Sequence, residues 1–254
     1  MKNKYVNFIS DEHLLNCIKN LHNAYLRAKN NITKKSFYSN KVDTIKLTFD
    51  AKFNDISEED LIQSEILRQI DKSINNSIGT FHEQILGGIK GFERGDKNKY
   101  DIKSNDNSLF AEIKNKHNTI SASSQLETFD SLATFADNHK NANCYLVQIL
   151  AKKSFNKNWE GIIKGKYRSH PRIFKISGDQ FYALLSGQDD ALFQLYKVLP
   201  RAINDYLKTI EKDDTIKENS ALDEITSETE NSKRSVLDQI TFDNFSYYLS
   251  FDKL

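Results

Sequence analysis

YDIKSNDNSLFAEIKNK, residues 100–116, reads as two short strands joined by a polar turn. With the turn centred between Asp106 and Asn107, Asp101 lies opposite Glu112. Opposite residues of an antiparallel pair share a face. Alternation brings Lys114 to that face also, while Ile102, Ala111 and Ile113 point the other way, into a core. Two carboxylates are thereby held close together on strands, with an ammonium beside them. Adjacent carboxylates repel, which favours a shared proton or a bound cation. Oxygen donors of this kind suit Mg²⁺, which keeps several waters and takes one or two carboxylates plus a substrate phosphate, and the carbonyl of Ile113 is placed to add a ligand. An ammonium at Lys114 would orient an attacking water or offset charge on a phosphate. In-line attack on a phosphodiester needs these parts: a Lewis acid, a positioned nucleophile and cationic stabilisation. Asp101-Ile102-Lys103 is a second acid-x-lysine match, so a rival register stays open, and cross-strand ion pairs without catalytic consequence are common in a chain with 28% charged residues.

Outward from the hairpin, residues 121–139 carry Leu126, Phe129, Leu132, Ala133, Phe135 and Ala136 at helical spacing. NCYLVQILAKK (143–153) is a near-continuous apolar run and reads as a buried central strand. RIFKISG (172–178) reads as another strand, with Asp179 capping a helix through FYALLSG and a further helix over 189–210 that Pro200 kinks or divides. Before the hairpin, Ser10-Asp11-Glu12 opens a helix, and Ser57 with Asp60 forms a capping box. The helix that follows continues, or restarts after Gly79, until LGGIKG breaks it. KVDTIKLTFDAKF (41–53) is read as a strand from uneven alternation. Residues 211–235 look like an exposed linker or loose helix, and the aromatic TFDNFSYYLSF (241–251) docks back or meets a partner. The expected fold class is α/β, a mixed central sheet flanked by helices with N-terminal helical additions. The expected divisions are a mostly helical region over 1–76, a core over 77–210, and a charged linker with an aromatic segment over 211–254.

Composition bounds the setting. With 2 Pro and 9 Gly in 254 residues, collagen-like and linker-dominated architectures are excluded. Two cysteines, Cys17 and Cys144, form neither a metal-ligand spacing nor a disulfide framework, so a reducing cytoplasm is the simplest location. No apolar run approaches a membrane span, and no membrane partner is expected. The net charge of +1 averages unlike regions. Between Asn141 and Lys175 eight Lys and Arg face a single acid, Glu160, whereas from Glu211 onward eleven acids face five bases. A basic middle suits a polyanion groove; solvated lysine-rich faces are the plainer explanation.

The acid, hairpin, acid-x-lysine, helix and buried strand in that order resemble the PD-(D/E)xK nuclease superfamily, with Asp101 and Glu112-Ile113-Lys114 as the motif and Tyr100 where the nominal proline would stand. TFHEQILGGIKGFE, YDIKS, FAEIKNKHNTIS and HPRIFKISGDQFYALLSG are similar to the family of type II restriction endonucleases that cut GGNCC, over roughly residues 75–200. The resemblance implies a restriction-endonuclease-like core and Mg²⁺-dependent hydrolysis of double-stranded DNA at a short GC-rich palindrome, leaving 5′-phosphate ends. Asp101 and Glu112 would be metal ligands and Lys114 the water-orienting residue, with Glu83 matching a helix acid that some superfamily members use as a further ligand. A palindromic target implies a homodimer, and a restriction enzyme implies a cognate DNA methyltransferase that protects host DNA. Guanine is read best by Arg or Lys in the major groove. The candidates for DNA contact are Lys116, His117 and Asn118 beyond the motif, and Arg168, His170 and Arg172 in the basic stretch, most of them as phosphate contacts or solvent-facing residues. Two other readings remain: a nuclease of the same fold acting in repair or on branched DNA, and a non-catalytic DNA-binding protein with a decayed nuclease fold.

Weaker signals have plainer explanations. Ser121 or Ser123 suits a helix cap better than a phosphate contact. His82 beside Glu83 is more simply a packed or surface histidine than a base, Trp159 a loop anchor, and Cys144 a small core residue.

Overall fold

The hairpin forms in the register that its turn dictates. Ile102 pairs with Ala111 and Lys103 with Phe110. Asp106 closes the turn by accepting hydrogen bonds from the Ser104 hydroxyl (2.6 Å), the Ser108 hydroxyl (2.7 Å) and the Ser108 N–H (3.0 Å). Asn107 takes the left-handed conformation there (φ 57°), which asparagine tolerates better than most residues.

The computed structural model describes residues 3–30, 32–95, 100–116, 120–210 and 220–246. In chain order the elements are α1 (Asp11–Lys29), α2 (Lys34–Ser39), α3 (Thr44–Asn54), α4 (Glu58–Gly87), β1 (Phe92–Arg94), β2 (Ile102–Ser104), β3 (Leu109–Lys116), α5 (Ala122–Asn138), β4 (Asn143–Leu150), β5 (Asn156–Asn158), β6 (Gly161–Ile163), β7 (Lys166–Arg168), β8 (Ile173–Ser177), α6 (Gly178–Ser186), α7 (Ala191–Leu207), α8 (Ser220–Ser232) and α9 (Val236–Phe245). They fall into two compact units, Met1–Leu21 with Ile78–Glu211 and His22–Ser77 with Lys212–Leu254.

The first unit is built on a six-stranded mixed sheet of order β1-β2-β3-β4-β8-β5. β3, β4 and β8 are parallel, and the antiparallel β1, β2 and β5 complete the edges. β4 is the buried central strand that its apolar run predicts. Strand alternation gives the sheet two apolar faces. Phe110, Cys144, Leu146 and Ile173 pack with Phe129, Leu132 and Ala136 of α5. Ala111, Ile113, Tyr145, Val147 and Ile176 pack with Leu14, Phe81, Ile85, Phe181 and Leu195 from the helices. α5 begins where the serine-rich stretch predicts, with the Ser121 hydroxyl accepting from the Ser124 N–H at 3.2 Å.

The second unit is helical. Phe37, Leu47, Ile62, Ile66, Ala221, Ile225, Val236 and Ile240 share one core. Residues 41–53, read as a strand, are the helix α3: the Asp43 carboxylate accepts from the Lys46 N–H at 3.0 Å and caps it. A side-chain cap satisfies a backbone donor that no alternation pattern accounts for. The charged stretch likewise contains α8, which buries Ala221, Ile225 and Thr229 on one face. The aromatic stretch contributes the end of α9, while residues 247–251 lie outside the described residues. One other expectation is corrected. Ser177, not Asp179, stands at the N-cap position of α6, without a side-chain capping bond, and Asp179 sits in the first turn, accepting from the Ser177 hydroxyl. Of the two outcomes expected at Pro200, division does not occur, since α7 is continuous through it. Half of the expected Ser57–Asp60 box forms: the Asp60 N–H donates to the Ser57 hydroxyl at 3.1 Å, and that hydroxyl donates in turn to the Asp60 carboxylate at 2.7 Å. No helix among the described residues is long and apolar enough to cross a membrane.

Candidate active site

β3 outruns β2. Beyond the Ala111 rung its outer edge has no strand partner, and Asp101, just before β2, turns its carboxylate onto that edge. The Ile113 N–H donates to Asp101 Oδ2 at 2.6 Å, and the Asp101 N–H donates back to the Ala111 carbonyl at 2.9 Å. Glu112 and Lys114 stand two residues apart on one face, and Lys114 Nζ donates to Glu112 Oε1 at 2.7 Å. Both are half-buried, with side chains 25% and 33% exposed. Screening is therefore incomplete, and the charges act on one another.

The carboxyl of Asp101 shows this most clearly. Burial, then the charge of Glu112 and more weakly that of Glu83, push it up to about 7, against the pull of the Ile113 N–H and of Lys114. A carboxyl held this way gains from a cation arriving beside it. The donor set fits a hard divalent metal: two carboxylates and the Ile113 carbonyl, with water and substrate oxygens completing the shell. Among the described residues no three His, Cys, Asp or Glu side chains converge as a ready-made metal cluster. Glu83 is held by Arg94 NH2 at 2.9 Å and reaches Asp101 through its charge.

The rival acid-x-lysine is used otherwise. Lys103 pairs with Glu93 across the β1–β2 ladder at 2.9 Å and donates to Asn107 at 3.3 Å. His82 packs against Tyr182 with Nδ1 2.9 Å from its hydroxyl, and burial lowers its pKa to about 4. Cys144 is fully buried, which pushes its thiol up to about 12.

The residues expected to touch DNA scatter. Lys116 ends β3, close to the site, while His117 and Asn118 lie outside the described residues. Arg168 pairs with Asp130 and His170 with Asp137 on α5, both at 3.2 Å. Arg172 donates to the carbonyls of His139 (2.8 Å) and Ala142 (3.1 Å), fastening the turn between α5 and β4. It precedes β8, at the amino ends of the parallel strands, whereas Glu112 and Lys114 lie toward their carboxyl ends. The structure adds residues that sequence reading passed over. Gln148 is the β4 partner of Lys114, half-buried on the same face, and Lys175 shares a row with Glu112 through Leu146. Only the strand register reveals either.

Comparison with known proteins identifies relatives over most of the chain. A family model described as Eco47II restriction endonuclease matches residues 6–208. The chain is 41% identical over 218 residues to the type II restriction enzyme Sau96I of Staphylococcus aureus, covering 82% of this chain and 84% of that one. It is 32% identical over 207 residues to the type II restriction enzyme Eco47II of Escherichia coli, covering 77% and 85%.

Proposed function

The chain belongs to the Eco47II restriction endonuclease family, and from that premise we propose that it is a Mg²⁺-dependent type II enzyme that cuts double-stranded DNA at a GC-rich palindrome resembling GGNCC. Site-specific cleavage of DNA follows from the family. The observation that supports the metal and the chemistry is the charge arrangement at β3: two half-buried carboxylates, one held protonated up to about pH 7, beside a single ammonium. Asp101, Glu112 and the Ile113 carbonyl would hold the metal, with Glu83 outside the set and adding negative charge. Mg²⁺ bound there supplies Lewis-acid polarisation of the scissile phosphate. Lys114, kept in place by Glu112, orients the attacking water and offsets the charge that builds on the phosphate in the transition state. The Ile113 N–H holds Asp101 on the open edge of β3. The products carry 5′-phosphate and 3′-hydroxyl ends. A palindromic target calls for two such sites related by a two-fold axis, hence a homodimer, and a cytoplasmic setting with a methyltransferase that protects host sites.

Digestion of unmethylated phage DNA with Mg²⁺, beside an EDTA control, tests this reading. Discrete fragments whose ends map to one GC-rich palindrome are expected. A smear or simple nicking would overturn site-specific double-strand cutting, and cleavage undiminished by EDTA would remove the metal.

A further inference from the structure

β5 and β8 place two lysines directly opposite one another: Lys157 pairs with Lys175 across an antiparallel ladder, on one face of the sheet. Like charges in that arrangement repel and cost stability. Lys175 is half-buried, with its ammonium 4.5 Å from the centre of the buried Trp159 ring, and neither lysine has a carboxylate partner among the described residues. Burial and the charge of Lys157 lower the pKa of Lys175. Both line a cavity of about 440 Å³ with Gln125, from the first turn of α5, and Glu160. Among the described residues Glu160 is the one acid in that lining, and it forms no ion pair with either lysine. A pair of ammoniums that no carboxylate among the described residues neutralises, opening on a cavity beside a helix start, is suited to an anion from outside.

We propose that this cavity receives a backbone phosphate of the bound DNA, gripped by Lys157 and Lys175 together. The proposal rests on the nuclease reading and extends it. Lys175 lies in the same cross-strand row as Glu112, with Leu146 between them, so the two stand on one face about two strand spacings apart, about 10 Å at the backbone. A duplex seated on Glu112 and Lys114 would be held at a second point along its backbone. Such a contact sets register and carries no sequence information.

Duplex binding measured by fluorescence anisotropy in EDTA, across a salt series, tests this in the full chain. Lys175→Met keeps the packing on Trp159 and removes the charge. It should bind about tenfold more weakly to cognate and unrelated duplexes alike, with the salt slope reduced by about one. It should also melt at or above the wild-type temperature, and Lys175→Arg should restore binding. The exposed Lys157→Met should weaken binding in the same sense. Wild-type affinity and slope in Lys175→Met and in Lys157→Met would overturn the proposal while leaving the nuclease reading intact. Failure of the wild-type protein to bind any duplex would overturn both. Thermal stabilisation by inorganic phosphate alone, dependent on Lys175 but without an effect of Lys175→Met on duplex binding, would reassign the cavity to a free phosphate.

Discussion

The carboxyl of Asp101 keeps its proton up to about pH 7, because burial and the charge of Glu112 oppose ionisation more than the Ile113 N–H and Lys114 favour it. Between about pH 4 and 7 the folded protein therefore holds a proton that the unfolded chain has lost. Stability falls as pH rises through that window and levels above it. Asp101→Asn preserves an acceptor for Ile113 and removes the charge. In metal-free urea unfolding at pH 5 and pH 8, the variant should gain on wild type at both, by a few kcal/mol at pH 8, on the order of the shift, and by clearly less at pH 5. It should lose cleavage at both. A variant no more stable at pH 8 would mean that the site carries no such electrostatic cost. Lys114→Ala tests the other half of the constellation. Cleavage should fall by at least about a hundredfold while duplex binding in EDTA survives, because the ammonium acts where charge develops rather than where DNA is held. Undiminished cleavage would remove Lys114 from the chemistry.

Two helix glycines separate sequence propensity from packing. Gly79 lies within α4, and a Cβ there would meet nothing within 4 Å, so Gly79→Ala should raise stability by about 0.5–1 kcal/mol. Gly178 opens α6 where the helix touches β4, and a Cβ would sit 2.6 Å from the Ile149 carbonyl oxygen and 2.8 Å from its Cα. Backbone cannot give way as a side chain can, so Gly178→Ala should cost about 1–3 kcal/mol despite the better helix former. Chemical denaturation of both variants distinguishes them by sign, and a gain in stability from Gly178→Ala would mean that α6 does not press on β4 as described. The same contrast explains what the sequence made legible. The hairpin, α5 and β4 are written in local periodicity and turn chemistry, and the register that pairs Ile102 with Ala111 follows from the turn at Asp106 and Asn107. β1, β5, β6 and β7 are three residues each, too short for any period to show. α3 was hidden because an Asp43 cap outweighs an alternating pattern. The Lys157–Lys175 pair and the Gln148 neighbour of Lys114 depend on which strands lie side by side, which no local pattern states.

The described residues of one chain carry one proposed catalytic constellation, and a duplex has two strands to cut. β3 carries a single Glu112-Ile113-Lys114 on the described sheet, so a blunt assignment of both cuts to one subunit would require the protein to turn round on its site. A two-fold dimer on a palindrome avoids this, since each strand meets an identical site in the same polarity. Heterodimers of wild-type and Lys114→Ala chains, separated by two different affinity tags, decide between the arrangements. With one strand per subunit, a supercoiled plasmid bearing a single target should be converted to open circles, and linear product should appear far more slowly than with the wild-type dimer. The nick should fall at the scissile bond of either strand with equal frequency, because the palindrome lets the dimer bind both ways round. Linear product formed at half the wild-type rate, without an accumulating open circle, would instead show that one subunit cuts both strands and that the second serves only to bind. The basic cavity on β5 and β8 enters the same experiment as a control. If it grips backbone rather than bases, Lys175→Met in either subunit should slow both nicking events through binding and leave the ratio of open circles to linear product unchanged.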